Sequence, residues 1–216
     1  MISIVVLISG SGTNLTALLA AASKPTASFR ITCVISNNSE AHGLERAREH
    51  EILTRVIERQ HYATLQAHKE AVLEEVLSQK PHLVVLAGFM MVLHDRFVHS
   101  FPGRIINIHP SLLPLYPGLH THERALADNR KTHGCTVHFV DSGVDTGAVI
   151  AQAEVVIPEG STPESLRTLV QEREWRLYPW VVESIAKREI ALVNGCVSYS
   201  PVALVEASTL GFILST

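Results

Sequence analysis

The sequence predicts an α/β fold: an open, doubly wound, mostly parallel sheet, Rossmann-like in its amino-terminal half and with an antiparallel extension in its carboxyl-terminal half. Three observations carry this. Residues 2–9, ISIVVLIS, are apolar on both faces, as a central parallel strand must be when helices cover both sides. Runs of this kind then alternate with helix-forming segments as far as residue 109. Beyond that the pattern changes, because two strand-like runs at 135–140 and 148–157 are separated only by a loop.

The elements follow in order. After the first strand, GSGTN at 10–14 is a tight polar turn, and LTALLAAA at 15–22 has helix-forming composition, closed by Pro25. FRITCVIS at 29–36 is the second strand, and Asn37 and Asn38 turn the chain into a helix over 43–50. LTRVI at 53–57 is a third strand. A longer helix over 63–79 is read with Leu65, Val72, Leu73, Val76 and Leu77 on one face, and Pro81 ends it. Residues 82–88 and 104–109 are the fourth and fifth strands. Past the two late strands, residues 161–180 open a helix with Thr162 as N-cap and Pro163 at its first position. Leu166, Leu169, Val170, Leu177 and Val181 stripe that helix, and Pro179 is expected to kink or end it. The tail at 191–216 is apolar and short-stranded, with no evident chemistry.

The 216 residues, 46% hydrophobic and 18% charged, suit one domain over 1–190 with the tail appended. A formal charge of -3 argues against a nucleic-acid or anionic-membrane partner, which would want a basic face. Cys33, Cys135 and Cys196 are scattered and form no C-x-x-C, so neither a disulfide frame nor a cysteine zinc site is indicated. The apolar run at 2–8 is too short for a signal segment and no run reaches membrane-span length, so a cytoplasmic, soluble protein is expected.

Four constellations carry possible chemistry. In RIINIHPSLLPLYPGLHTH, Asn107 and His109 lie two residues apart at the end of the fifth strand, so both point to one face, and Pro110 stops the ladder there. The carboxyl ends of such strands are where ligands bind. An amide donor beside an imidazole suits an oxyanion or a proton transfer, the alternative being a satisfied Asn and His at a strand end. Second, SGSGTN is an anion nest at a helix start or an ordinary glycine turn. It is neither the G-x-G-x-x-G of dinucleotide binders nor a P-loop. Third, DSGVDTGAV holds Asp141 and Asp145 in a glycine loop. Asp145 either orients His109 and holds it protonated, or belongs to a solvated hairpin. Fourth, His109, His120, His122, His133 and His138 crowd this half of the chain, but no paired carboxylate or Cys stands at ligand spacing, so no metal is expected.

At NIHPSLLPLYPGLHTH the sequence resembles the formyltransferase family that uses 10-formyltetrahydrofolate. VLISGSGTNL, ISNN, GLERA, VVLAGFM, HGCTVHFV and VDTGAVI extend the likeness, in family order, to about residue 182. The resemblance implies formyl transfer from that folate, as cosubstrate, to the amine of glycinamide ribonucleotide in purine biosynthesis, by a monomer or homodimer. It implies that Asn107, His109 and Asp145 are catalytic. Gly12, Thr13, Asn14, Gln171 and Glu174 would hold the ribonucleotide. Met90, Met91, Val92, Leu93, Asn107, Asp141, Ser142, Gly143, Val144 and Asp145 would hold the folate. Residues 1–100 become the nucleotide-binding half and 101–190 the folate-binding and catalytic half. The chain departs from the family at Met91 and near Leu65, where arginine is common, and at Leu115, where Lys or Arg is common. A methionyl-tRNA formyltransferase would carry a further basic carboxyl-terminal domain, and a formyltetrahydrofolate hydrolase an added amino-terminal one. A nucleotide-binding module without catalysis is the alternative from another class.

Overall fold

The computed structural model describes residues 1–215, which form two compact units. The first is Met1–Ile106, and the second begins at Asn107.

The first unit runs β1 (Ile2–Ile8), α1 (Thr13–Ala22), β2 (Phe29–Ser36), α2 (Gly43–Glu49), β3 (Leu53–Val56), a 3-10 turn at Arg59–His61, α3 (Leu65–Ser78), β4 (Leu83–Leu86) and α4 (Asp95–Ser100), and ends in the first residues of β5 (Ile105–His109). The strands β4, β1, β2 and β3 lie side by side in that order, all parallel. Val6 on the central strand pairs with Val34 on one side and Val85 on the other, and β1 is solvent-free from Ile4 to Ile8. This is the doubly apolar strand the sequence predicts.

Helix α3 differs from expectation on one face. Thr64 caps it, its hydroxyl accepting from the Ala67 N–H at 3.0 Å. Val72, Leu73 and Val76 are buried, but Leu65 and Leu77 are 52% and 41% exposed. His68 takes the buried stripe instead, with Nε2 2.8 Å from the Ile57 carbonyl. The positions 68, 72 and 76 are one turn apart, so an imidazole with a backbone partner completes the stripe where apolar content alone does not show it.

The second unit takes the end of β5, then α5 (Thr121–Ala127), β6 (Thr132–Phe139), β7 (Val149–Val156), α6 (Pro163–Ala186), β8 (Ile190–Val193), β9 (Cys196–Tyr199), α7 (Pro201–Leu210) and β10 (Ile213–Leu214). β6 and β7 are antiparallel, as the sequence predicts, and β10 adds to β7 antiparallel. The β6–β7 register shifts between Val137 and His138, a bulge that re-aims the following side chain.

Thr162 caps α6 in a reciprocal box with Ser165, and Pro163 occupies the first turn. Pro179 does not end the helix, which continues to Ala186. It removes one backbone donor, but Leu177, Tyr178, Val181 and Val182 are fully buried on both sides of it, and that packing outweighs one lost hydrogen bond. In the tail, Asn194 and Gly195 both have positive φ and close the β8–β9 hairpin tightly. Tyr199 ties that hairpin back by donating to the Ile150 carbonyl at 2.6 Å. Among the described residues no helix is long and apolar enough to cross a membrane.

Candidate active site

β5 delivers the first two groups. Ile106 and Ile108 are buried on one face of the strand, so Asn107 and His109 share the other. Asn107 is half-buried and His109 is 5% exposed. His109 Nδ1 lies 3.3 Å from Asp145 Oδ2, and its Nε2 lies 2.8 Å from the Tyr116 carbonyl. The carboxylate therefore reaches the imidazole from the loop after β6.

Asp145 holds a left-handed backbone, φ 56°, that a non-glycine residue adopts at a cost. Its Oδ2 also accepts from the Gly118 N–H at 2.8 Å. Burial works against its ionised form. Contact with His138, the Gly118 amide and the neighbouring His109 outweigh that, and hold its pKa below the ordinary carboxylate range.

His109 is governed differently. Burial lowers its basicity, and the neighbouring His138 and Arg124 add to this, while the Tyr116 carbonyl and Asp145 oppose it without reversing it. The resting imidazole is neutral near pH 7. The carboxylate 3.3 Å away and the Tyr116 carbonyl orient the ring and oppose its desolvation without repaying it in full.

The loop after β5 is anchored by polar groups on β6 and β7. Thr136 donates to the Ser111 carbonyl at 2.6 Å and accepts from the Leu113 N–H at 3.0 Å. Gln152 donates to the Leu113 carbonyl at 2.8 Å. Thr121 donates to the Pro110 carbonyl at 2.7 Å. These bonds fix the Tyr116 and Gly118 backbone against the imidazole and the carboxylate.

The sequence-predicted binding residues fall in both units. In the first, Gly12 caps α1 with φ 72° and packs so closely on Gly43 that a Cβ there would lie 2.6 Å from the Gly43 Cα. Thr13 and Asn14 open the helix, Asn14 buried and Thr13 half-buried. Of residues 90–93, Met90 and Val92 are exposed and Leu93 is buried. In the second unit, Glu174 is buried on α6 and Gln171 half-buried one turn before it. Asp141, Ser142, Gly143 and Val144 are exposed, and Asp141 Oδ1 accepts from the Gly143 N–H and the Thr146 hydroxyl, at 3.0 and 2.7 Å. That carboxylate shapes the loop carrying Asp145.

A family model described as formyl transferase matches residues 2–182. The chain belongs to the formyl transferase family. This formyltransferase is 42% identical over 184 residues to the phosphoribosylglycinamide formyltransferase of Escherichia coli (strain K12), covering 85% of this chain and 87% of that protein. It is 38% identical over 190 residues to the trifunctional purine biosynthetic protein adenosine-3 of Homo sapiens, covering 88% of this chain and 19% of that one. Among solved structures, glycinamide ribonucleotide transformylase 1 from Symbiobacterium toebii superposes with a TM-score of 0.89 at 41% identity, covering 92% of this chain and 94% of that one.

Two residues of the formyltransferase escaped a role in the sequence reading. His138, one of the crowded histidines, sits beside both Asn107 and Asp145, with Nε2 3.2 Å from Asn107 Nδ2 and 3.6 Å from Asp145 Oδ1. Arg46, on α2, braces the glycine loop, donating from Nε to the Ser11 carbonyl at 3.1 Å and from Nη1 to the Thr16 hydroxyl at 3.0 Å. Their signals were one histidine among five and an arginine on a charged helix, neither distinctive alone. The remaining histidines separate. His122 and His133 form a buried pair 3.2 Å apart, and His120 faces solvent beside Glu123. Among the described residues no group of three or more His, Cys, Asp or Glu is set to hold a metal ion.

Proposed function

We propose that this formyltransferase moves the formyl group of 10-formyltetrahydrofolate to the amine of glycinamide ribonucleotide, giving formylglycinamide ribonucleotide and tetrahydrofolate, a step of purine biosynthesis in the cytoplasm. One observation carries the reading. An amide, an imidazole and a carboxylate meet at the end of β5, His109 within 3.3 Å of Asp145, in a chain whose relatives at 38–42% identity are named for that reaction or for a purine-pathway protein.

The amine nitrogen attacks the formyl carbon directly, and the carbonyl electrons move onto oxygen. Asn107 Nδ2–H donates to that oxyanion, one such donor contributing ~3–4 kcal/mol, and His109 donates to it once substrate draws its Nε2–H away from the Tyr116 carbonyl. Asp145 fixes the ring through Nδ1 and holds the water that relays the amine's proton. The amine releases one proton, which passes through water held by Asp145 to the folate nitrogen as the bond from that nitrogen to the formyl carbon breaks. No covalent enzyme intermediate is required. In the first unit Gly12, Thr13 and Asn14 offer backbone amides and a helix start to the phosphate; in the second, Gln171 and Glu174 are the residues assigned to the ribonucleotide. Residues 90–93 and 141–145 offer backbone to the folate ring, and holding both substrates in line supplies much of the remaining acceleration.

The test is to mix protein, glycinamide ribonucleotide and 10-formyltetrahydrofolate and follow the deformylated folate by absorbance. His109→Ala abolishes turnover while ribonucleotide binding survives. Full activity in that variant overturns the assignment of roles.

A further inference from the structure

Residues 88–94 of the first unit form a strap without regular secondary structure, hydrogen-bonded at its two ends, with the Leu93 side chain buried between them. At the start, Gly88 has φ 75° and its carbonyl accepts from the Ser9 N–H at 3.1 Å. The Ser9 hydroxyl then accepts from the Met90 N–H at 2.9 Å and donates to Asn37 Oδ1 at 2.6 Å. One serine thus joins the strap to β1 and to the turn after β2. At the far end, His94 Nε2 lies 3.0 Å from Glu70 Oε1 on α3. Glu70 is itself fixed, accepting from Gln66 Nε2 at 2.8 Å and from Arg96 Nη1 at 2.7 Å.

Between these clamps Met90 and Val92 stand 66% and 55% exposed. The backbone groups of residues 91–93 make no hydrogen bond among the described residues. An extended edge with free amides and carbonyls and two apolar side chains suits a flat heteroaromatic ring, which needs in-plane hydrogen bonds and face contacts together.

The His94 ring shows what the far clamp is for. A carboxylate only accepts, so the neutral ring carries its proton on Nε2. Its Nδ1 is then a bare acceptor, buried and without a partner. A buried acceptor left alone is a cost that an apolar residue would avoid, so the ring's value at this position lies in the bond to Glu70.

We infer that Ser9 and the His94–Glu70 pair are positioning residues that fix the strap of residues 90–93 for the formyl donor. This rests on the functional reading above, which gives that strap to the folate. The strap's free backbone groups recognise a ligand only if both ends stay in place, so releasing either end weakens binding of that substrate alone.

The test compares His94→Ala, His94→Gln and Ser9→Ala with the unaltered protein. His94→Ala raises KM for 10-formyltetrahydrofolate about three- to tenfold, with kcat and the ribonucleotide KM within about twofold. His94→Gln, whose amide can still donate to Glu70, recovers most of the loss. Ser9→Ala raises the same KM from the other end. Hydrogen exchange at Met90 and Phe97 quickens in the alanine variants, independently of any substrate. The inference is overturned if the folded alanine variants keep a folate KM within twofold, if both substrates' KM values rise alike, or if Gln is no better than Ala at position 94. Should the unaltered protein show no folate-dependent turnover, the functional reading falls by itself. Unchanged exchange at Met90 and Phe97 in both alanine variants then overturns the clamp.

Discussion

His138 Nε2 stands 3.2 Å from Asn107 Nδ2, while His138 Nδ1 lies 2.8 Å from the Phe139 carbonyl. The carbonyl can only accept, so a neutral His138 carries its proton on Nδ1, and its Nε2 accepts from the Asn107 amide; only in the protonated ring does that nitrogen donate toward Asp145 Oδ1, 3.6 Å away. This fixes which way the amide points. One N–H is engaged by His138 and the other stays free for an oxyanion. Asn107→Ala is expected to lower kcat by ~10²–10³, the usual loss for one oxyanion donor. His138→Ala, which only frees the amide to turn, should lower it by about 10- to 100-fold. Because both act through one group, the double variant should fall within a few-fold of Asn107→Ala. Multiplicative losses across the four proteins would show that His138 acts on its own.

How much of this was readable beforehand varies with the interaction concerned. Asn107 and His109 were legible because period-2 alternation is a local rule, and Pro110 marks the strand's end. Asp145 read equally well as a turn residue, since nothing local distinguishes a left-handed aspartate that reaches back to His109 from one in a solvated loop. The role of His138 depends on a bulge between Val137 and His138, which alternation does not foresee. Helices α4 and α5 have no side-chain N-cap to mark their start and were not foreseen, nor was the ten-residue α7 in a tail read as short-stranded. The neutral state of His109 required its burial to be known, because spacing gives the partner's charge but not the desolvation that outweighs it.

Arg46 leads to a second prediction. A cation beside the start of α1 opposes the helix dipole, an arrangement that becomes favourable when an anion joins it. The guanidinium holds the Ser11 carbonyl and the Thr16 hydroxyl, and Thr16 donates in turn to the Gly12 carbonyl at 3.2 Å. Arg46→Gln is expected to raise KM for the ribonucleotide by roughly five- to tenfold, as loss of one charge-assisted contact implies, with the folate KM unchanged. Steady-state kinetics in each substrate decides it, and a larger effect on the folate would remove the anion role.

Two glycines test the packing behind the site. A Cβ on Gly147 would collide with the Phe139 carbonyl, and one on Gly134 with the Ala153 carbonyl. Both neighbours are backbone of β6 and β7, which cannot yield without breaking the pairing. Gly134→Ala and Gly147→Ala should each cost about 1–3 kcal/mol or more in urea unfolding. Gly147→Ala should also reduce kcat, because it shifts the loop that carries Asp145. Gly10→Ala, where a Cβ meets nothing within 4 Å, is the control and should be near neutral. Equal stability of all three variants would mean that the close approach of these strands is not maintained in solution.

The buried histidine pair sets a pH dependence. His122 Nδ1 and His133 Nε2 are 3.2 Å apart with their rings edge to face, and burial pushes both down to about 4. Unfolded histidine titrates near ~6.5, so between these values the unfolded chain binds more protons than the folded one. The stabilisation is whole above the unfolded value and is lost as pH falls toward 4. His109, also lowered by burial, acts with the same sign. The lowered pKa of Asp145 contributes stability above the ordinary carboxylate range, which disappears only at more acidic pH. The urea midpoint should therefore drop between pH 7 and pH 5 by an amount corresponding to roughly 1–2 kcal/mol per ring. His122→Phe keeps an aromatic ring against His133 but removes one titration and the like charge that opposes the other. It should flatten that drop by more than one ring's share, and a slope parallel to the unaltered protein's would rule the pair out as its source.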